Sequence, residues 1–310
     1  MKILLFGKNG QVGWELQRSL APLTASDRLF IVGSDSPTLC GSLANPEGIR
    51  QTIQTVKPDI IINAAAYTAV DKAEQEPKLA QTINAEAPAV MADEARRLNA
   101  WLIHYSTDYV FDGSGDQPRT ETDSTGPLNV YGRTKLSGEN NIIESGCAHV
   151  ILRTSWVYAT YGSNFVKTIL RLACERDLLK IVDDQLGAPT GAELIADVTA
   201  HIIRALRQQK NETAVSGLYH LTAQGCVSWY GFARFILEQA AETGMPLNIL
   251  PENVHPIFTT DYPTPAKRPL NSRLNITRIQ KTFDVCLPEW QIGVSRVLAE
   301  MLTDPITVKC

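Results

Sequence analysis

Tyr131 and Lys135 stand four residues apart in Tyr131-Gly132-Arg133-Thr134-Lys135, inside a stretch of helical patterning over residues 127–143. At that spacing both side chains leave one face of a helix, with Cβ atoms about 5 to 6 Å apart. A free phenol, with a pKa of about 10, is a poor acid-base group at neutral pH. An ammonium beside it favours the phenolate and draws that pKa toward the working range. Pairs of this kind also arise on ordinary surface helices, so the weight lies in where the pair sits.

A second set lies at the N-terminus. Gly7-Lys8-Asn9-Gly10-Gln11-Val12-Gly13 falls between a short apolar run and the first helical pattern, with glycines at i, i+3 and i+6. Without Cβ atoms at Gly7 and Gly10 the backbone can turn tightly and approach a diphosphate seated on the helix N-terminus, while Gly13 lets helix and sheet pack closely. A strand before and a helix after turn this spacing into a dinucleotide-binding expectation that includes Gln11 and Val12.

The elements that must carry these groups alternate. Apolar runs at residues 2–6, 29–32, 59–62, 101–105 and 150–154 are separated by helical patterns at 12–20, after Pro46, at 77–98 and at 127–143, and further helices follow at 165–174 and 192–205. Runs joined by crossover helices, without two-residue hairpin turns, predict a doubly wound α/β fold with a parallel, Rossmann-like sheet. Residues 106–126 break the rhythm with glycines, a proline and several acids, a loop long enough to carry function. Beyond residue 216 the pattern loosens, and Pro246 to Pro269 contains too many prolines for long regular elements. The expected division is a dinucleotide-binding domain at 1–155, with sheet-covering elements returning at 184–215, and a smaller substrate-binding subdomain at 156–183 and 216–310.

Composition narrows the partners. The 310 residues are 44% hydrophobic and 20% charged, which excludes disorder, and a formal net charge of −4 with mixed signs gives no reason to expect nucleic acid or a membrane surface. The run Ile3 to Phe6 is too short for a leader, no apolar stretch approaches a membrane span, and six scattered cysteines read as free thiols of a cytoplasmic protein. No histidine pair has helical ligand spacing, so a zinc or iron site is not expected.

The glycine spacing, the Asn63-Ala64-Ala65-Ala66 motif after the third strand, Thr107 at a strand end and the Tyr131/Lys135 pair together resemble the extended short-chain dehydrogenase/reductase superfamily. Within it, residues 7–18, His104-Tyr105-Ser106-Thr107-Asp108-Tyr109-Val110-Phe111 and the blocks 153–158, 184–190 and 268–274 are similar to the dTDP-4-dehydrorhamnose reductase family, from residue 1 to about residue 303. The resemblance implies reduction of the C4 ketone of dTDP-4-dehydro-L-rhamnose by NADPH or NADH, the last step of dTDP-L-rhamnose synthesis. It makes Tyr131 the proton donor, Lys135 its pKa partner and ribose ligand, and Thr107 the group that hydrogen-bonds the carbonyl. Asp108 and Trp156 would face the dTDP-sugar substrate, and Arg268 and Ser272 its diphosphate. Ala64, Ala65, Ala66, Tyr67 and Tyr105 would line the cofactor pocket, with Ser42 and Leu43 at its adenosine end. Related dehydratases carry Thr-Asp-Glu where this chain has Thr107-Asp108-Tyr109, and the missing acid favours simple carbonyl reduction. Alternatives are another sugar-nucleotide reductase or epimerase, or a non-catalytic NADP-binding regulatory subunit.

The second strand lacks the terminal acid that takes the adenosine ribose hydroxyls. Ile31-Val32 runs into Gly33-Ser34, with Asp35 two places late and Lys8 as a candidate cation for a 2′-phosphate, so cofactor preference leans to NADPH with NADH accepted. Glu15, Glu193 and Glu300 match acidic positions that some relatives use for Mg2+ at a homodimer interface, which makes magnesium and a homodimer further implications of the resemblance.

Overall fold

The chain is described by a computed structural model over residues 1–208, 215–249 and 251–303. It opens with β1 (Ile3–Phe6), α1 (Gln11–Leu20), β2 (Leu29–Val32), α2 (Pro46–Val56) and β3 (Ile60–Asn63). Next come the short helices α3 (Val70–Ala73) and α4 (Pro77–Gln81), then α5 (Ala87–Leu98), β4 (Trp101–Thr107), α6 (Val130–Ser145) and β5 (His149–Thr154). The remainder comprises β6 (Val157–Tyr158), α7 (Phe165–Glu175), β7 (Leu179–Val182), β8 (Leu186–Gly187), β9 (Thr190–Gly191), α8 (Ala192–Gln208), β10 (Gly217–His220), β11 (Val227–Ser228), α9 (Trp229–Glu242), β12 (Val254–Ile257), α10 (Thr277–Phe283) and α11 (Trp290–Thr303).

Six strands form one parallel sheet in the order β10-β5-β4-β3-β1-β2. Every residue of β1, β3 and β4 is buried, as expected of parallel strands covered on both faces. Alternation along β1 sends Ile3 and Leu5 into a core shared with α1, α8 and α10, and Leu4 and Phe6 into one shared with α2, α5 and α6. This is the expected doubly wound sheet. Its order reverses between β1 and β3, so the crevice beyond their carboxyl ends is where such a sheet holds a ligand.

A separate core joins α7, α9 and α11 through Leu170, Phe232, Ile236, Val294 and Leu298. It is flanked by the small pairs β7 with β12 and β8 with β11. Gly217–His220 lies in the stretch that sequence assigned to the smaller subdomain, yet it pairs with β5 at the edge of the large sheet. At four residues it is too short for an alternation signal to stand out.

The helical pattern at 77–98 is one run of helix in three parts, because residues Thr82–Glu86 form a π-turn between α4 and α5. The buried Asn84 in that turn accepts from Tyr67 N at 2.8 Å and donates to Tyr67 O at 3.2 Å and Thr134 Oγ1 at 3.1 Å. It thereby ties the loop after β3 to α6. A Cβ at Gly138 of α6 would lie 2.2 Å from Asn84 O, so glycine is what lets the two helices meet there.

Among the described residues no helix is long and apolar enough to cross a membrane. Cys40, Cys147, Cys226 and Cys286 are free thiols. Cys310 lies outside the described residues, as do the rest of 304–310, 209–214 and residue 250.

Candidate active site

β1 hands over to α1 through a turn whose glycines serve different ends. Gly7 has φ 94°, its N–H is held by Val32 O at 3.0 Å, and a Cβ on it would lie 2.6 Å from Ala65 N. A Cβ at Gly13 would lie 1.9 Å from Gly7 O. A Cβ at Gly10 would meet nothing in the protein closer than 3.5 Å, so the fold itself does not demand glycine there. What it would obstruct is the space outside α1, whose cap at Gly10 supplies no side-chain hydrogen bond and whose first turn has no acid. Unpaired N–H groups and the helix dipole suit that end to an anion.

That space is the mouth of a cavity of about 540 Å³ over the β1/β3 crevice. Of the residues singled out from sequence, Gly7, Gly10, Gln11, Val12, Ser42, Leu43, Ala64, Ala65, Ala66, Tyr105, Tyr131 and Lys135 line it. Gly13 and Tyr67 do not. Gly13 is turned inward against Gly7, and the Tyr67 hydroxyl donates to Glu76 Oε2 at 2.6 Å. Sequence reading missed Ser106 and Thr154, which also line the cavity and whose hydroxyls are buried without a partner. Orphaned hydroxyls beside open space fit a site completed by a polar ligand. At the far end Lys8 Nζ lies 3.4 Å from Asp35 Oδ1, which also accepts from Asn9 Nδ2 at 3.0 Å. The Asn9 hydrogen bond, ahead of the Lys8 charge, holds the Asp35 carboxyl below its ordinary range. Gly33 and Ser34 line the cavity beside them.

At the inner end α6 presents Tyr131 and Lys135. Its start is set by Asn129, whose side chain accepts from Gly132 N. Lys135, 1% exposed, donates from Nζ to Tyr105 O at 2.6 Å and lies 3.1 Å from His104 Nε2. Burial pulls its ammonium down to about 8, against the opposing charge of Glu139. Glu139 is held by Arg153 through two hydrogen bonds of 2.9 and 2.6 Å. Burial pushes the Tyr131 phenol up to about 12, with the Thr107 hydroxyl opposing and the Asp108 charge adding to the rise. Lys135 Nζ itself is engaged by Tyr105 O of β4. Nothing in the sequence gives His104 a role beyond its being an imidazole in a buried strand.

Thr107 ends β4 and caps a 3-10 turn over residues Asp108–Val110, with Oγ1 accepting from Tyr109 N at 3.2 Å and donating to Asp108 Oδ1 at 3.1 Å. Asp108 is buried. Desolvation raises its carboxyl to about 6, against hydrogen bonds from Ser272 and Thr107, and Oδ2 has no partner. Tyr109 packs edge-on to Tyr131 with ring centroids 5.5 Å apart.

The wall beyond Asp108 comes from the C-terminal part. Residues 113–119 are zipped to residues 271–275 through Asn271 N to Gly113 O, Arg119 N to Arg273 O and Asn275 N to Arg119 O. Trp156 has φ 49°, a strained setting for a bulky residue, and stacks on Trp229 with centroids 3.6 Å apart. Gly187 makes room for it, since a Cβ there would lie 2.7 Å from the indole. Arg268 forms a two-pronged pair with Asp71 at 2.9 and 2.6 Å, a partner that no spacing signalled, while Ser272 sits buried beside Asp108.

Glu15, Glu193 and Glu300 converge without building a metal site. Glu15 pairs with Arg18 at 3.3 Å and Glu300 with Arg296 at 3.1 Å. Burial, with the nearby Glu300 and Glu15 charges, raises the Glu193 carboxyl to about 7 although Arg296 opposes it. Among the described residues no group of three acids, histidines or cysteines is arranged to hold a metal, so the magnesium expectation finds no support. Arginines already answer the charge of these acids.

Known proteins align along the whole chain. The profile of a family described as the RmlD substrate binding domain matches residues 1–303. A dTDP-4-dehydrorhamnose reductase of Escherichia coli (strain K12) is 55% identical over 303 residues, covering 98% of this chain and 99% of that one. One from Burkholderia thailandensis is 44% identical over 306 residues, covering 98% and 100%. Among solved structures, a dTDP-4-dehydrorhamnose reductase of Clostridium acetobutylicum superposes with TM-score 0.84 at 35% identity, covering 98% and 100%. One of Bacillus anthracis in complex with NADP gives 0.83 at 33%, covering 97% and 100%. With the family profile matching residues 1–303 and identity at this level over 98% of the chain, the chain belongs to the dTDP-4-dehydrorhamnose reductase family.

Proposed function

We propose that this protein reduces the C4 ketone of dTDP-4-dehydro-L-rhamnose to dTDP-L-rhamnose with NADPH or NADH, the last step of dTDP-L-rhamnose synthesis. The observation that carries the reading is 55% identity over 98% of the chain to a reductase of that name. It is supported by Tyr131 and Lys135 lining the cavity, with Thr107 and Asp108 behind Tyr131.

The nicotinamide cofactor supplies the hydride when bound. The chain's own part is to hold it and to deliver a proton. The N-terminus of α1 and the bare backbone at Gly10 take the diphosphate, and Ser106 and Thr154 offer their unpartnered hydroxyls to the cavity. Tyr131, raised to about 12, keeps its proton at neutral pH, which is the state a reduction consumes. Thr107 re-aims its hydroxyl from Asp108 to the ketone oxygen, and Asp108 Oδ2 accepts a sugar hydroxyl. Trp156 offers an apolar face to the sugar, and Arg268, oriented by Asp71, meets the diphosphate of the dTDP-sugar.

Lys8 is the cation for a 2′-phosphate and Asp35 its counterweight, so NADPH is preferred with NADH accepted. The NADP complex of the Bacillus anthracis protein supports the same preference. The reading includes a cytoplasmic site of action, a homodimer, and a division of labour between the sheet, which binds the cofactor, and the layer of α7, α9 and α11, which closes over the sugar.

The test is oxidation of NADPH and of NADH with dTDP-4-dehydro-L-rhamnose by the native protein and by Tyr131→Phe. Rapid turnover that drops about 100-fold or more in the variant is expected of a lost general acid. Absence of turnover with both cofactors, while either still binds, would refute the substrate assignment.

A further inference from the structure

We infer that Asn63 and His104 form a one-way hydrogen-bond chain that hands Lys135 a donor instead of an acceptor, making His104 the positioning residue that keeps Lys135 a titrating proton store rather than a fixed charge. The inference rests on the reading of Lys135 as part of the proton-delivery site.

The direction of the chain follows from groups that have no choice. Ala65 N–H can only donate, and it donates to Asn63 Oδ1 at 3.1 Å. That orients the amide, so Nδ2 is the atom facing His104 Nδ1 at 3.1 Å, and Nδ2 can only donate. His104 Nδ1 therefore accepts, and the neutral ring carries its proton on Nε2. Nε2 lies 3.1 Å from Lys135 Nζ. The other fixed contact of Nζ is Tyr105 O at 2.6 Å, a carbonyl that can only accept.

An amine satisfies both contacts, giving a hydrogen to Tyr105 O and receiving one from His104. An ammonium has no lone pair and would set two donors face to face. Reversing the imidazole moves that conflict to Asn63, and flipping Asn63 moves it to Ala65 N–H, where it stops. His104 is fully buried and does not line the cavity that Lys135 opens onto, so water cannot reach its ring to relieve the mismatch. Asn63 and His104 are direct partners across β3 and β4, so the sheet register itself maintains the chain.

Other charges around Lys135 do not set this polarity. Glu139, one turn on in α6, is locked by Arg153 of β5, the Tyr105 hydroxyl is engaged with Thr199 of α8, and Tyr131 precedes Lys135 by one turn. Burial pulls Lys135 to about 8 and holds His104 neutral, in keeping with this arrangement. In the reduction Tyr131 gives its proton to the ketone oxygen and becomes a phenolate. The Lys135 ammonium replaces that proton and becomes the amine that the chain accommodates, and solvent recharges it. The face-to-face donors thus favour the step that releases the proton.

Two measurements test this on the full chain. Nitrogen NMR of 15N-histidine-labelled protein, on the alkaline side of the Lys135 titration, reads the tautomer of His104, assigned by the signal lost in His104→Gln. A proton on Nε2 is expected, and a proton on Nδ1 overturns the chain whether or not the protein reduces the sugar. The second is the pH profile of kcat in Asn63→Asp, where a carboxylate accepts from both Ala65 N–H and His104 Nδ1–H and reverses the polarity. The alkaline limb should move up by about one pH unit, equivalent to about tenfold tighter proton binding. A lower kcat with an unmoved limb would reduce Asn63 and His104 to packing. If the native enzyme fails to turn over at all, the proposed function fails, and the tautomer still decides the chain.

Discussion

Asp108→Asn should make the protein more stable and less active. Asp108 is 3% exposed, its Oδ2 has no partner, and burial raises its carboxyl from 3.8 to about 6 despite hydrogen bonds from Ser272 and Thr107. A carboxyl whose folded pKa lies above its unfolded value holds protons more tightly in the folded state. Stability therefore falls as pH climbs through that interval, and the whole deficit is present at neutral pH. A displacement of about two units corresponds to about 3 kcal/mol at most. The amide keeps the acceptor for Thr107 Oγ1 and removes the buried charge, so a gain of about 1 to 3 kcal/mol is expected near neutrality, vanishing below the unfolded carboxyl pKa of about 4. Thermal unfolding of both proteins at a neutral and an acid pH reads the difference directly, with turnover of the dTDP-sugar measured alongside. A variant less stable than the native protein at neutral pH, or one whose gain is the same at both pH values, would refute the claim that an ionised, under-partnered carboxylate is held there.

Gly10→Ala should leave the melting temperature near its native value and weaken NADPH binding about tenfold or more, measured by cofactor fluorescence, because its Cβ meets no protein atom closer than 3.5 Å yet enters the cavity mouth. Gly13→Ala, with a Cβ 1.9 Å from Gly7 O, should instead destabilise the fold itself by several kcal/mol, about the cost of a severe core clash, visible as a lower unfolding midpoint. Arg153→Ala should cost about 3 to 5 kcal/mol in urea unfolding, since it strands Glu139, which is 1% exposed. Glu193→Gln should stabilise above pH 7 and have little effect below the unfolded carboxyl range of about 4.3, because burial holds this acid up at about 7; melting curves across pH would show it.

Much of this molecule was legible in its sequence because its signals are local. Strand, glycine turn and helix are contiguous at residues 3–20, and a four-residue helical spacing binds Tyr131 to Lys135, so their placement on one cavity needed only the parallel topology. What escaped depends on distant residues meeting. Nothing near Arg268 announces Asp71, and nothing near His104 announces that its neighbours will be Asn63 and Lys135. Glu15 and Glu300 lie near enough to Glu193 to raise its carboxyl, but spacing does not show that Arg18 and Arg296 pair with them. Gly217–His220 was missed for another reason, as four residues in a sheet edge carry too little alternation to separate a strand from a loop.

The π-turn at Thr82–Glu86 has a consequence in genetic terms. Such a turn holds one residue more than regular α-helix would need for the same span, so it is equivalent to a single inserted codon. Here the surplus aims Asn84 at both the loop after β3 and Thr134 of α6. Losing that codon would leave a cleaner helix while rotating the whole of its downstream face by about 100°, one residue of helical twist. The stretch is therefore one where a one-residue in-frame deletion would uncouple the loop after β3 from the helix that carries Tyr131 and Lys135.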